Sequence, residues 1–261
     1  MSRFVPNDLV SKMPISQVNA AFVLHARAYG ESDKIVRFLT DTAGKLTGIA
    51  KGAKNSRRRF ANCLDTFTRV RVHYRSRAGA GMVFMESCDL LQPAGVLIDP
   101  LKFAYGSYLV ELVDQFAPEG QPVPELYQLL DDALAQLQGG PATTAFLRTF
   151  ELHLLVHTGY EPQLTTCAEC RSAVHETAFL DPEHGTVLCP ACRHTTVSAV
   201  AMAGETLLSL ETLKRSTIAE ARRHPLSGTV AAQAAQLTGY LLALHLARPL
   251  RSLRLIAALA R

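Results

Sequence analysis

No apolar run in this 261-residue sequence approaches the ~18 residues that a helix needs to span a bilayer. The longest, around Gly239 to Ala247, is interrupted by His245, so no membrane partner is expected. The start, Met1-Ser2-Arg3-Phe4-Val5-Pro6, lacks the apolar core of a secretory signal, and the expected compartment is the cytoplasm. Charged residues are scarce, 19% against 48% hydrophobic, which excludes a disordered chain and leaves a globular one of about two domains. Catalytic signatures are missing as well. There is no phosphate-binding Walker loop, no Gly-x-Ser-x-Gly elbow, and no pair of acids in a recognisable motif. Asp131 and Asp132 are adjacent in a helical stretch and diverge by about 100°, as solvent-facing residues do. Internal repeats and low-complexity tracts are absent, and no enzymatic activity is expected.

The six cysteines are few but patterned. Cys167/Cys170 and Cys189/Cys192 form two Cys-x-x-Cys knuckles separated by 18 residues, the spacing of a four-thiolate zinc site. A redox Cys-x-x-Cys comes once, beside a βαβ pattern that is missing here. A zinc deaminase needs His-x-Glu and then Pro-Cys-x-x-Cys, whereas here the proline lies inside the knuckle, Cys189-Pro190-Ala191-Cys192. With four thiolates no position remains for water or substrate, so one structural Zn2+ is expected. From Glu161 to Ser198 there are five acids (Glu161, Glu169, Glu176, Asp181, Glu183) and two bases (Arg171, Arg193), the wrong balance for gripping phosphates. His175, His184 and His194 are read as surface histidines. Cys63 and Cys88 fall outside the set and are read as reduced, buried thiols.

The net charge of +4 is modest but unevenly placed. Lys45 to Arg77 holds ten of the 27 Lys and Arg residues and one acid, Asp65, which reads as a footprint for a polyanion. The first ninety residues read as strands: Val18–Arg27, with Val18, Ala20, Phe22, Leu24 and Ala26 on one side, then Asp33–Thr40, Lys45–Gly52, Phe67–Arg77 and Met82–Leu90. In Phe67–Arg77 the apolar Val70, Val72 and Tyr74 alternate with Arg69, Arg71, His73, Arg75 and Arg77. The period of two puts Tyr74 in the core and the arginines in an outward cationic stripe. Five short strands suit a small barrel of the oligonucleotide-binding (OB) type. The loop Gly52–Asn62 adds Lys54, Arg57, Arg58 and Arg59, and because it precedes the stripe strand the two are expected to form one continuous path. Phe60 and Phe67 are the candidates for base stacking.

From about Pro93 the apolar period becomes helical. Phe103–Phe116, Glu125–Leu137 and Thr144–His157 carry i, i+3, i+4 stripes, and Glu205–Ala221, Thr229–Leu246 and Leu250–Ala260 follow the knuckles. The expected fold class is α+β and multidomain. It comprises an OB-type barrel over 1–91, a helical domain over 92–160 and 199–261, and an inserted four-cysteine zinc ribbon over 161–198.

Several segments resemble one family. Val23-Leu24, Tyr29-Gly30-Glu31-Ser32-Asp33, Gly44-Lys45 and Ala50-Lys51-Gly52-Ala53 precede the basic loop, and His245-Leu246 with Leu250-Arg251-Ser252 closes the chain. In order and spacing, with the knuckles between, this resembles the bacterial RecO recombination mediators over nearly the whole chain. The resemblance implies a barrel that binds single- and double-stranded DNA and a helical domain carrying the zinc motif. It also implies annealing of complementary strands and, with RecR, help in loading RecA onto strands covered by single-stranded-DNA-binding protein (SSB). It carries Lys51 and the loop after it over as DNA contacts, and implies a place at the nucleoid. An SSB acidic-tail contact by the helical domain is expected on the same ground, with Arg148, Lys214 and Arg215 as charge partners. The residues alone say only backbone-led, sequence-tolerant nucleic-acid binding. An RNA-binding OB factor, with or without an RNA-processing activity, stays open.

Overall fold

The computed structural model describes residues 15–76, 81–95 and 99–259. Expectations that fall on Arg77 and on the first fourteen residues lie outside them. Strands β1 (Ile15–Tyr29), β2 (Asp33–Thr40), β3 (Lys45–Ala50), β4 (Arg69–Ser76) and β5 (Val83–Gln92) close into a barrel in the order β1-β2-β3-β5-β4. Neighbours are antiparallel except β3 and β5, which run parallel where Gly48, Ile49 and Ala50 meet Val83, Phe84 and Met85. A Cβ on Gly48 would lie 2.7 Å from Met85 Cγ, so this close approach requires glycine. The five-stranded OB-type barrel expected from the sequence is the fold observed.

Alternation places β4 correctly. Val70, Val72 and Tyr74 line the barrel with Val36, Phe38 and Met85. The Tyr74 hydroxyl reaches Gln17 Oε1 at 2.5 Å and Asn19 Oδ1 at 2.8 Å, and its single proton serves one of them at a time. Burial, with Asp41 adding to it, raises the phenol above its ordinary pKa.

Strand β1 faces differently from expectation. Ala21 and Val23 line the barrel, and after a bulge between Val23 and His25 so does Ala26, while Val18 is 52% exposed. Phe22 and Leu24 are buried on the opposite, outer face. The reason for Phe22 is a strap, Ala117–Gln128, that belongs to the same compact unit as the barrel. Tyr127 packs on Phe22 with ring centroids 5.1 Å apart, the Gly120 N–H donates to the Lys45 carbonyl at 2.8 Å, and Lys45 Nζ lies 3.7 Å from Glu119. A strand buried on both faces cannot declare its inner side by alternation.

The second unit comprises Ile98–Phe116 and Leu129–Arg261. Its helices are α1 (Pro100–Phe116), α2 (Pro124–Gly139, begun in the strap), α3 (Thr144–His157), α4 (Gly204–Arg215), α5 (Ile218–Ala221), α6 (Gly228–Ala243) and α7 (Ser252–Leu259). The stripe Leu129, Leu130, Ala133, Leu134 and Leu137 is buried throughout. The single helix expected over Glu205–Ala221 is broken, because Thr217 and Glu220 form a capping box that starts a new one. The Glu111 carboxylate accepts the amide protons of Arg251 (3.0 Å) and Ser252 (2.9 Å), which anchors the start of α7. Between α3 and α4 lies a three-stranded sheet, β6 (Thr177–Asp181), β7 (Thr186–Leu188) and β8 (Val200–Ala203), in the order β7-β6-β8. Gln233 Oε1 on α6 accepts from the Ala203 amide (3.1 Å) and Thr206 Oγ1 (2.7 Å), tying the end of this ribbon to the helices.

Tyr74→Ala is expected to destabilise the barrel by about 3–5 kcal/mol, the cost of emptying a large aromatic site. Chemical denaturation followed by tyrosine-independent circular dichroism measures it, and a loss below about 1 kcal/mol would contradict the inward assignment.

Candidate nucleic-acid interface and metal centre

The two segments Tyr29–Asp33 and Ala50–Ala53 are bound to each other. The Asp33 carboxylate accepts the Gly52 N–H at 2.8 Å and the Ser32 hydroxyl at 3.0 Å. Gly52 sits at φ +67°, in the left-handed region that suits glycine. Lys54 donates its Nζ proton to the Gly30 carbonyl at 2.8 Å and its amide to Ser32 O at 2.9 Å. The Gly52 N–H, then Ser32 and the nearby Lys51 and Lys54 charges, hold the Asp33 carboxyl below its ordinary pKa. The turn Ala53–Asn55 and the basic residues after it therefore start from a fixed base.

Farther along, Arg59 Nη2 donates to the Lys51 carbonyl at 2.7 Å, its guanidinium lies over the Phe60 ring, and Ser56 Oγ accepts the amides of Arg59 and Phe60. Lys51, Lys54, Arg57, Arg58 and Arg59 are all exposed. The side chains of Arg57 and Arg58 hold no hydrogen bond or ion pair among the described residues. Phe60 and Phe67 are both buried, at 4% exposure each, and so are not open stacking platforms. Phe60 packs into the barrel core and Phe67 bonds its amide back to Val23 O at 3.0 Å.

The β4 cations fare unequally. Arg69 donates Nε to Tyr127 Oη at 3.0 Å and lies over the Phe22 and Tyr127 rings, so it fastens the strap. Arg75 is paired with Glu86, and His73 with Asp89 at 3.0 Å. Arg71 is exposed, and its register partner is Asp89. The stripe is thus interleaved with acids from β5.

Loop and stripe are not adjacent. The Cys88 N–H donates to Arg59 O at 2.8 Å and Cys63 Sγ bonds Cys88 O at 3.3 Å, so the loop lies along one edge of β5 while β4 pairs with the other. The expectation of one continuous path is corrected by a whole strand. The loop precedes β4 in sequence, but barrel order places β5 between them. Cys63 and Cys88 are both buried and free, and burial raises both thiols.

In the ribbon, the four sulfurs of Cys167, Cys170, Cys189 and Cys192 lie within 4.8 Å of one another, with Cys170 and Cys189 at 3.7 Å. Zn–S bonds of about 2.3 Å in a tetrahedron put the sulfurs about 3.8 Å apart, so the donor set fits such an ion. Burial opposes the Cys167 thiolate, but amide protons of Cys170, Cys189 and Glu169 outweigh it and lower its pKa. The Cys192 amide lowers Cys189. His175, His184 and His194 are exposed, and His184 Nδ1 is instead 2.8 Å from Asp181 Oδ2.

Both parts of the chain match known families. Residues 15–94 match the model described as Recombination protein O N terminal, and 98–254 match Recombination protein O C terminal. A DNA repair protein RecO of Myxococcus xanthus is 35% identical over 238 residues, covering 91% of this chain and 95% of that protein. The same-named protein of Anaeromyxobacter sp. (strain K) is 34% identical over 236 residues, covering 90% and 93%. That of Syntrophus aciditrophicus is 30% identical over 246 residues, covering 92% and 95%.

The chain belongs to the RecO family. In this RecO chain the paired motifs of the N-terminal half are the Asp33–Gly52 and Lys54–Gly30 contacts, and Leu250-Arg251-Ser252 is the helix start held by Glu111. Of the cations expected to meet an acidic tail, Arg148 is buried against Glu151, and the Lys214 side chain, 9% exposed, is paired with Glu161 and Glu211. Only Arg215 extends outward, and it too is paired with Glu211. Among the described residues no helix is long and apolar enough to cross a membrane. Glu86 and Asp89 escaped the sequence reading, since nothing local marks which β5 residues will face β4 cations.

Because Asp33 has a lowered pKa, its anchoring of the loop is complete above the unfolded value, near 3.8, and is lost as pH falls through the lower folded value. A carboxyl 13C titration is expected to show an Asp33 midpoint below 3.8, with the Gly52 amide signal shifting in step. Independent titration of the two would remove the contact.

Proposed function

We propose that this chain is a non-enzymatic DNA-binding mediator of recombinational repair. It binds single- and double-stranded DNA and anneals complementary strands. With RecR it helps load RecA onto SSB-coated single strands. The observation that carries the reading is the loop. Lys51, Arg57 and Arg58 project from a segment pinned at Asp33, Lys54 and Arg59, so their charges are presented with little ordering left to lose. Sequence-tolerant binding follows from contacts to backbone phosphates. The ribbon serves as a structural Zn2+ site, supported by the sulfur spacing and by an acidic composition unlike that of a phosphate-gripping surface. For the SSB acidic tail, the open groove lined by Leu208, Arg223 and His224, with Glu220 and the Glu211-paired Arg215 at its side, takes the place of Arg148 and Lys214, whose side chains are largely buried as well as paired.

Two measurements test this. Arg57→Ala with Arg58→Ala is expected to flatten the log–log salt dependence of single-strand binding by about 1.4, at about 0.7 per lost phosphate contact, equally on unrelated sequences. An unchanged slope would remove the loop from the interface. One Zn2+ per chain is expected by metal analysis, and Cys189→Ser or prolonged chelation lowers the melting temperature of the helical unit, since metal affinity is folding energy there. Metal-free protein with full stability would refute the structural role.

A further inference from the structure

Strand β5 runs between the loop cations and the β4 cations, and it carries outward carboxylates toward β4. A bulge places the first of them. Pairing passes from Tyr74–Met85 to His73–Ser87, which leaves Glu86 as the extra residue. Met85 and Cys88 on either side point into the core, while the Glu86 carboxylate meets the Arg75 guanidinium outside and lies 3.4 Å from Ser16 Oγ on β1. Asp89, opposite Arg71 in register, holds His73 Nε2 at 3.0 Å. Thus Arg75 and His73 each have a carboxylate at the distance a DNA phosphate would take.

We infer that Glu86 and Asp89 act as internal phosphate mimics that withhold the β4 cations from nucleic acid and confine it to the loop. This rests on the DNA contact proposed for the loop. Arg75 is 53% exposed at its side chain, so a phosphate can reach it, but the Glu86 carboxylate already offsets its charge and the added contact gains little. An exposed pair of this kind is weak, so the acids lower affinity without abolishing contact. The bulge matters because regular alternation would leave no extra residue at position 86, and hence no carboxylate held against Arg75.

Glu86→Gln keeps the side-chain size and removes the charge. Binding of a fluorescent oligothymidylate at low salt is expected to tighten roughly three- to ten-fold, with a salt slope steeper by about 0.7. Arg75→Ala in the parent chain costs less than about twofold, whereas in the Glu86→Gln background it erases the gain. Arg58→Ala costs the same in both backgrounds. Asp89→Asn behaves in parallel, its gain erased by His73→Ala, and all variants keep the parent melting temperature. No gain from either acid, or gains that survive loss of the partner cation, would overturn the inference while leaving the loop reading intact. A parent chain that binds no DNA would overturn the loop reading and this inference with it.

Discussion

The barrel closes through a parallel contact of only three residue pairs, Gly48–Ala50 of β3 against Val83–Met85 of β5. Since β3 ends at Ala50 while β5 continues to Gln92, the edge of β5 beyond Met85 is left to another partner. The basic loop takes it, through Arg59 and Cys63 on Cys88. The placement of the loop and β4 cations follows from that closure. Those of the loop lie past one edge of β5, and those of β4 lie past the other beside its acids. A side chain on Gly48 would push Met85 away and open the contact on which this partition depends.

What could be read from the sequence was whatever had a local physical cause. Val70, Val72 and Tyr74 declared their face because β4 has one apolar side and one polar side. The four zinc-motif cysteines declared themselves because their spacing encodes the chemistry. Phe22 misled because the strap covers it with Tyr127, more than a hundred positions away. Phe60 and Phe67 stood beside arginines and so suggested stacking, yet the loop folds back and spends both on packing. Glu86 gave no signal at all. Its direction depends on a register shift between two strands, a property of the pair and not of either sequence. The break at Thr217 was legible in Thr-x-x-Glu but lay inside a convincing helical period.

In the helical unit, ionic contacts are used for fastening. Arg148, Glu151 and Tyr108 form a buried group between α3 and α1, with Tyr108 Oη 2.5 Å from Glu151 Oε1. Burial and the Glu151 charge beside it raise the Tyr108 phenol well above its ordinary pKa. Arg248 with Asp114, and Glu111 with the start of α7, attach the last helix to α1. Outward cations without such duties include Arg57 and Arg58 in the N-terminal loop and Arg171 and Arg254 in the second unit.

The strap has a consequence in time. The barrel's strands are complete at Gln92, but Tyr127, which covers Phe22 and receives Arg69, comes 35 residues later, after the first helix of the other unit. At roughly 5–20 residues per second, a ribosome delivers that cover about 2–7 s after the last strand. During this interval a nascent barrel leaves Phe22 uncovered and Arg69 without its tyrosine, a state in which a chaperone or a neighbouring nascent chain would find an apolar foothold. Threading the chain through α1 before finishing the barrel thus makes the order of synthesis part of how the first unit reaches its native surface.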